Sequence, residues 1–220
     1  MVEASGHTPE GRLISESLAP GDTFVDVGAN HGAYSVFAAR LVGEQGKVLA
    51  FEPQPRLAGL LRASLDENNA CRWEVHEIAC GAEPSHAEFY CPSSGSGSAG
   101  LFRAFSAKGE HTTHRVQIAL LDDVVDADAL PGNIFIKVDI EGSELKFLRG
   151  AGKLIRTRRP TILIELNPDA ASCAGHSTKA VLDELESLGY MTFSTPFAYP
   201  ERMHRCDINT KKQQNVLALP

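Results

Sequence analysis

Residues 24–35 read FVDVGANHGAYS, and this stretch decides the fold class. An apolar run stops at Gly28, a second glycine follows at Gly32, and a helical pattern of apolar residues begins directly after it. Glycine lets the backbone turn sharply and approach a ligand closely. The helix N-terminus that follows offers unpaired N–H groups, which bind a phosphate or a carboxylate. The stretch therefore predicts a strand, a tight turn and a helix around a small anionic group.

The same succession of strand and helix recurs along the chain. Between amphipathic helical patterns lie the strand-like runs TFVDV, KVLAFEP, WEVHEIACG, NIFIKVDIEG and TILIELNP, and NVLALP closes the chain. Such alternation, with strands rich in Val, Ile and Leu, is typical of a mostly parallel, doubly wound sheet. We predict an N-terminal segment over 1–22 with one short helix, and a single domain over 23–220. A Ser/Gly-rich loop is predicted at about 91–114.

Composition narrows the class of protein. The 220 residues carry a net charge of −7, which argues against a nucleic-acid partner, since such proteins usually present a basic face. The five cysteines form no CxxC pair and favour reduced thiols in the cytoplasm. No apolar run reaches the ~20 residues of a membrane span. The short N-terminal segment leaves an open cleft, which fits either a large acceptor or completion by a second subunit in a homo-oligomer.

In an open parallel sheet, ligands bind beyond the carboxyl ends of the strands. The first turn lacks the dinucleotide pattern G-x-G-x-x-G, because Asn30 and Ala33 stand where glycines are required. Asp26, just before the turn, suits a ligand that carries an ammonium group. S-adenosyl-L-methionine combines an ammonium with a carboxylate. Glu52 ends the next strand and can accept hydrogen bonds from both hydroxyls of a ribose. The ribose does not separate this cofactor from NAD, but the glycine spacing does.

Three ordered motifs, FVDVGANHGAYS, VLAFEPQP and IKVDIEGSELKFLRGA, resemble those of the FkbM-type methyltransferases. The resemblance extends over about residues 23–220. It implies a Rossmann-like class I methyltransferase fold, with a seven-strand, mostly parallel sheet, helices on both faces and an antiparallel edge strand. It also implies S-adenosyl-L-methionine as cofactor and O-methylation of a hydroxyl on a small-molecule acceptor, such as a sugar or a secondary metabolite.

The resemblance also assigns the cofactor-binding residues. The methionine end lies at the first turn and the helix after it, the ribose at the end of the second strand, and the adenine at the end of the third. In chain order these residues are Asp26, Gly28, Asn30, Gly32, Tyr34, Ser35, Glu52, Pro53, Ile78 and Ala79.

Catalysis requires a group that aligns the acceptor hydroxyl and accepts its proton. Asp139, in KVDIEG, is the first candidate for the base or for orienting the acceptor, and Glu165, at the end of ILIEL, is predicted to face it. Glu141 and Glu165 have an alternative role in fixing strand ends. In another alternative, Asp139, Glu165 and Asn167 hold a divalent metal ion. Two competing functions stay open: an NAD-dependent oxidoreductase and a non-catalytic protein that binds S-adenosylmethionine.

Overall fold

The computed structural model describes residues 6–68, 70–93, 98–107 and 109–220. A seven-stranded sheet forms its centre, in the spatial order β3-β2-β1-β7-β8-β10-β9. These strands are β1 (Thr23–Val27), β2 (Lys47–Phe51), β3 (Arg72–His76), β7 (Ile134–Val138), β8 (Thr161–Leu166), β9 (Thr192–Ser194) and β10 (Gln214–Leu219). The other three strands are β4 (Ala79–Cys80), β5 (Ser85–Pro92) and β6 (His111–Ala119), which form a smaller sheet in the order β4-β6-β5.

The fold class is confirmed, with one difference in the position of the antiparallel strand. Strands β3, β2, β1, β7 and β8 pair in parallel, and β10 runs antiparallel to β8. The antiparallel strand was expected at the edge of the sheet, but β10 also pairs with β9 and lies one strand inside. The sequence does not reveal this because β9 has only three residues, too few for an alternating apolar pattern.

Helices cover both faces of the sheet. Nine α-helices occur in the described part of the chain: α1 (Pro9–Ser17), α2 (Ala33–Val42), α3 (Pro55–Asn68), α4 (Arg103–Ser106), α5 (Leu121–Val124), α6 (Glu144–Gly150), α7 (Gly152–Arg158), α8 (Pro168–Cys173) and α9 (Thr178–Ser187). One apolar core contains residues of α1, α2 and α3, and the other contains residues of α5, α6, α7 and α9. No helix among the described residues is both long and apolar enough to cross a lipid bilayer.

Strand β1 shows how the sheet places polar groups in the interior. All five of its residues are buried, as expected for a parallel strand covered on both faces. Val25 and Val27 belong to one core, whereas Phe24 stacks on Phe135 of β7 in the other. Side chains alternate along a strand, so Asp26 shares the face of Phe24 and lies beneath α2.

The range 91–114, predicted as a Ser/Gly-rich loop, begins and ends in strands. Cys91 and Pro92 close β5, and residues 111–114 open β6, with which β5 pairs antiparallel. Gly100 forms a bridge to Tyr90, and α4 follows it. The prediction misses the start of β6 because residues 111–114 are polar and mostly exposed, and so show no apolar alternation. Residues 94–97 and 108 of the predicted loop lie outside the described residues.

Candidate active site

A cavity of about 280 Å³ opens at the carboxyl ends of β1, β2 and β7, where an open parallel sheet binds ligands. Eight of the twelve predicted site residues line it: Gly28, Asn30, Tyr34, Glu52, Pro53, Ile78, Ala79 and Asp139. The other four, Asp26, Gly32, Ser35 and Glu165, are not part of the lining. Among the lining residues that the sequence interpretation left out are Gln54, Phe89, Leu101 and Ser143.

The two glycines of the first turn are required by the protein itself. Gly28 has φ of 83° and Gly32 has φ of 76°, a region that residues with a side chain avoid. A Cβ on Gly28 would overlap the carbonyl oxygen of Asp139, and one on Gly32 would overlap the side chain of Leu61. The interpretation that glycine is needed for the approach of a ligand is therefore incomplete, because tight packing against β7 and α3 already excludes a side chain.

Asp26 and Ser35 lie together beneath the cavity. Asp26 is 1% exposed, and its Oδ2 accepts a hydrogen bond of 2.6 Å from the hydroxyl of Ser35. Its other oxygen, Oδ1, has no hydrogen-bond partner among the described residues. Burial raises the pKa of Asp26, with the positive charge of Lys137 opposing the shift. A direct bond from Asp26 to the ammonium of a ligand stays a prediction.

Lys137 is a buried cation in the wall of the cavity. It is 6% exposed, and its Nζ lies 3.2 Å from Oδ2 of Asp139 and 5.2 Å from the ring centre of Tyr34. Burial lowers the pKa of Lys137, but the charges of Asp139 and Asp26 outweigh burial and raise it overall. The signal in the sequence is a lysine inside the apolar run IFIKV, two residues before Asp139 and hence on the same face of an extended strand.

Glu52 fixes the shape of the cavity where β2 ends. Its Oε2 accepts from the N–H of Asn30 at 2.8 Å, and its Oε1 accepts from the N–H of Gln54 at 2.9 Å. Each carboxylate oxygen has a second lone pair for a ligand hydroxyl. Burial raises the pKa of Glu52 to about 7, although both backbone hydrogen bonds oppose the shift. The carboxylate thus connects the first turn to the second strand.

Apolar side chains surround the next part of the cavity. Strand β3 ends at His76, so Ile78 lies between strands and Ala79 begins β4, rather than both ending the third strand as predicted. Phe89 comes from β5, Leu101 comes from the segment between β5 and β6, and Pro53 follows Glu52. Mostly apolar walls with a few placed polar groups are typical of small-molecule sites and suit a flat heterocycle.

The segment DIEGSE, residues 139–144, forms a rigid turn at the other end of the cavity. Glu141 and Gly142 both have positive φ, of 49° and 98°. The buried carboxylate of Glu144 accepts hydrogen bonds from the N–H groups of Ile140 and Gly142 at 3.0–3.3 Å. The sequence interpretation missed Glu144, although its signal is the D-x-E-G-x-E spacing. This side chain holds the turn that presents Asp139 and Glu141.

Three carboxylates meet at this end of the cavity. One oxygen from each of Asp139, Glu141 and Glu165 lies within 4.8 Å of the other two, so Glu165 does face Asp139. Burial, with the negative charge of Glu165 and Asp139, raises the pKa of Glu141 to about 8. Burial, with the charge of Asp139, raises the pKa of Glu165 to about 7.

The predicted metal set of Asp139, Glu165 and Asn167 is not formed. Oδ1 of Asn167 accepts from the N–H groups of Asp169 and Ala170, both at 3.2 Å, and caps helix α8. Its Nδ2 donates to Oε2 of Glu141 at 3.1 Å. The only oxygen of this side chain is therefore used by the backbone, as expected for an asparagine at an N-cap.

Comparison with known families decides the class of this site. The methyltransferase FkbM domain matches residues 26–191, a range that contains the first turn, Glu52 and the three carboxylates. The chain belongs to the FkbM methyltransferase family. Among curated proteins, none matches the sequence.

Solved structures agree with the family in their fold. The FkbM methyltransferase of Methylobacillus flagellatus is 20% identical with a TM-score of 0.56, and the alignment covers 96% of this chain and 50% of that one. The chain thus spans half the length of this relative. An S-adenosylmethionine-dependent methyltransferase of Aquifex aeolicus is 18% identical with a TM-score of 0.51, covering 98% and 90%. The chain therefore has the fold of S-adenosylmethionine-dependent methyltransferases.

Proposed function

We propose that this FkbM-family protein transfers a methyl group from S-adenosyl-L-methionine to a hydroxyl of a small molecule, such as a sugar or a secondary metabolite. The observation that carries the proposal is one cavity lined by Glu52 and by Asp139 and Glu141, with Glu165 close behind the last two. The part around Glu52 has the chemistry to bind an adenosyl group. The part around the other carboxylates has the chemistry to orient and deprotonate an acceptor.

The residues present fit the cofactor. Two carboxylate oxygens of Glu52 can accept from the two ribose hydroxyls while they keep their backbone hydrogen bonds. Apolar groups, including Ile78 and Phe89, form the adjoining slot for the adenine. S-adenosylmethionine supplies a methyl group on a positively charged sulfur and leaves as neutral S-adenosylhomocysteine. The carboxylates around Asp139 offer a complementary negative charge to that sulfur.

The acceptor side is rich in groups that bind hydroxyls. Glu165 accepts a hydrogen bond of 2.9 Å from Gln213, and Asn215 is the cross-strand neighbour of Glu165. Asn215 in turn donates to Glu10 of α1 at 3.0 Å. Carboxylates and amides are hydrogen-bonding groups suited to a hydroxyl-rich ligand. We assign Asp139 the role of orienting the acceptor hydroxyl and Glu165 that of facing it across the cleft.

We further propose a small-molecule acceptor and a cytoplasmic location for the enzyme. A net charge of −7 favours a small-molecule acceptor over a nucleic acid. The five cysteines are all free thiols, which is consistent with a reducing cytoplasm. A homo-oligomer in which a second subunit completes the acceptor cleft is part of the same proposal.

Calorimetric titration tests the cofactor. The purified protein is titrated with S-adenosylmethionine, S-adenosylhomocysteine and NAD. The variant Glu52→Gln lowers the negative charge at the ribose position, and Glu77→Gln is the matched control, because Glu77 pairs with Arg62 outside the cavity lining. We expect micromolar binding of both adenosyl ligands, about −8 kcal/mol, at least tenfold weaker in Glu52→Gln and unchanged in Glu77→Gln.

Methyl transfer is then measured with methyl-labelled S-adenosylmethionine and a panel of monosaccharides, alcohols, phenols and amines. Label in an ether product supports the proposed acceptor class. Label only in amines contradicts O-methylation while preserving the methyltransferase. Preference for NAD, or no binding of any adenosyl ligand, contradicts the whole proposal.

A further inference from the structure

We infer that Glu141, held in place by Asn167, is the catalytic base that removes the proton from the acceptor hydroxyl. This inference rests on the proposed function and deepens it. It differs from the sequence expectation, which placed the base at Asp139 or Glu165. We assign the base to Glu141 because the three carboxylates have different hydrogen-bond and ion-pair partners in the folded protein.

Glu141 combines access to the cavity with a fixed position. It lines the cavity, is 7% exposed and has φ of 49°, so the backbone aims its side chain in a direction that regular structure does not provide. Asn167 donates to its Oε2 at 3.1 Å. Oε1 has no donor among the residues that the structure describes. One oxygen is thus anchored, and the other can accept a proton.

The other two carboxylates are less suited to accept a proton. Asp139 forms an ion pair with Lys137 at 3.2 Å, and a proton on Asp139 would leave that buried cation without its partner, at considerable cost. Glu165 accepts from Gln213 and is not part of the cavity lining. Asp139 therefore orients, and Glu165 adds charge beside the base.

The surroundings of Glu141 give it the affinity for a proton that a base requires. Charged groups face it from several elements: Glu165 on β8, Asp139 and Lys137 at the end of β7, and Glu144 on α6. His176 approaches the same turn through a contact of 2.9 Å between its Nε2 and the carbonyl oxygen of Gly142. Burial and the negative neighbours raise the pKa of Glu141 to about 8, and a base is most effective when its pKa lies near the working pH.

The proton and electron balance of the step is simple. The O–CH₃ bond forms as the S–CH₃ bond breaks, and the bonding pair stays on sulfur. The hydroxyl proton passes to the ionised carboxylate of Glu141 and later to water. No oxidant, reductant or further reactant is needed.

A pair of ligands tests Glu141 without knowledge of the acceptor. S-adenosylhomocysteine is neutral at sulfur, whereas sinefungin carries an amine on a carbon at the place of the methyl-bearing sulfur. Its ammonium takes the place of the transferred methyl group and so points towards the acceptor site. An ionised base at that site therefore attracts it. At pH 7 we expect sinefungin to bind about tenfold tighter than S-adenosylhomocysteine and to release close to one proton more than S-adenosylhomocysteine does, measured by calorimetry in buffers of different ionisation enthalpy.

Variants of the three carboxylates show which of them causes the preference for sinefungin. Glu141→Gln is expected to lose both the preference for sinefungin and the additional proton release, and to keep its affinity for S-adenosylhomocysteine, which also shows that it is folded. Glu165→Gln is expected to keep most of the preference. The inference is wrong if Glu141→Gln behaves like the wild type, or if Glu165→Gln or Asp139→Asn alone abolishes the additional proton release. If neither ligand binds the wild type, the proposed function fails and the inference fails with it.

Discussion

Asn167 connects the first turn of α8 to Glu141 through the two ends of one amide. Its Oδ1 accepts from the N–H of Ala170 at 3.2 Å, and its Nδ2 donates to Oε2 of Glu141 at 3.1 Å. The amide can therefore point in only one direction, because a flipped amide would set its NH₂ against two backbone N–H groups and its oxygen against the oxygen of Glu141. The helix cap and the position of the carboxylate are determined together.

Substitution of Asn167 separates these two roles. Ser and Asp both cap helices well, so Asn167→Ser and Asn167→Asp should lose no more than about 2 kcal/mol of stability. Both remove the amide N–H that donates to Glu141, and Asp adds a negative charge, so the pKa of Glu141 should rise above about 8. The midpoint of the pH dependence of sinefungin binding measures this shift. An unchanged midpoint in both variants would show that the hydrogen bond does not hold the carboxylate.

Alanine at Gly28 tests how tightly the first turn packs. Gly28→Ala combines a positive φ with overlap against the carbonyl oxygen of Asp139, and we expect a loss of more than about 3 kcal/mol. Gly43→Ala is the control, because Gly43 also has positive φ but no atom within 4 Å of an added Cβ. With a ψ of −172°, Gly43 lies outside the left-handed helical region, and alanine there should cost about 1–3 kcal/mol. Urea denaturation compares the two, and equal losses would refute the packing argument.

Removal of the buried Lys137 cation should lower the free energy of unfolding. Lys137→Met leaves Asp139 and the buried Asp26 without their cation, and because the side chain of Asp139 is 39% exposed and screened by water, we expect a loss of about 1–3 kcal/mol. Asp26→Asn in the same chain should restore part of the loss, because it removes one of the two acids. A double-mutant cycle in denaturant measures the coupling. Additive effects of the two substitutions would mean that Lys137 does not balance Asp26.

The affinity for S-adenosylhomocysteine should rise with pH through the range of Glu52. Burial raises the pKa of Glu52 to about 7, so the group is protonated below this pH and offers its full set of acceptors above it. Calorimetry from pH 6 to pH 8 should therefore show increasing affinity. Glu52→Gln should flatten the profile, and Glu77→Gln should not. A profile that Glu52→Gln leaves as steep as before would assign the pH dependence to another group.

The stability of the free protein should decrease with rising pH, whereas its affinity for the ligand increases. The pKa values of Glu52, Glu141, Glu144 and Glu165 are about 7, 8, 7 and 7 in the folded chain, with burial the largest cause in each. The unfolded chain releases these protons at lower pH, so the folded state binds more protons between about pH 5 and pH 8, and its free energy of unfolding falls as pH rises. Thermal melting of the wild type and Glu141→Gln measures this slope, which should be smaller in the variant. A melting temperature that increases over this range would contradict the burial of these acids.

The sequence predicts the parts of the site that depend on strand ends. Glu52 and Asp139 line the cavity because each follows a parallel strand, and the carboxyl ends of parallel strands share one edge of the sheet. The fold class follows from the same alternation of strands and helices. The strand ends and the fold class can both be predicted because they depend on patterns within a few neighbouring residues of one sequence.

Other features depend on contacts between distant segments. Glu144 and Glu141 are three residues apart, yet one holds the backbone and the other lines the cavity, and the turn geometry that separates them has no local signature. Asparagine is a suitable metal ligand by residue type. In the folded chain, however, the side-chain oxygen of Asn167 caps α8 and is not available to a metal ion. The smaller sheet depends on the pairing of β5 with β6 across 18 intervening residues, which a single sequence does not show.

Two carboxylates in the site bind backbone amides instead of other side chains, and this has a practical consequence for spectroscopy. Glu144 accepts from the amides of Ile140 and Gly142, and Glu52 accepts from those of Asn30 and Gln54. An amide proton bonded to a carboxylate changes its chemical shift when that carboxylate titrates. Four backbone resonances therefore act as internal pH indicators, two at each end of the cavity, and they can follow the ionisation of each end separately while a ligand is added.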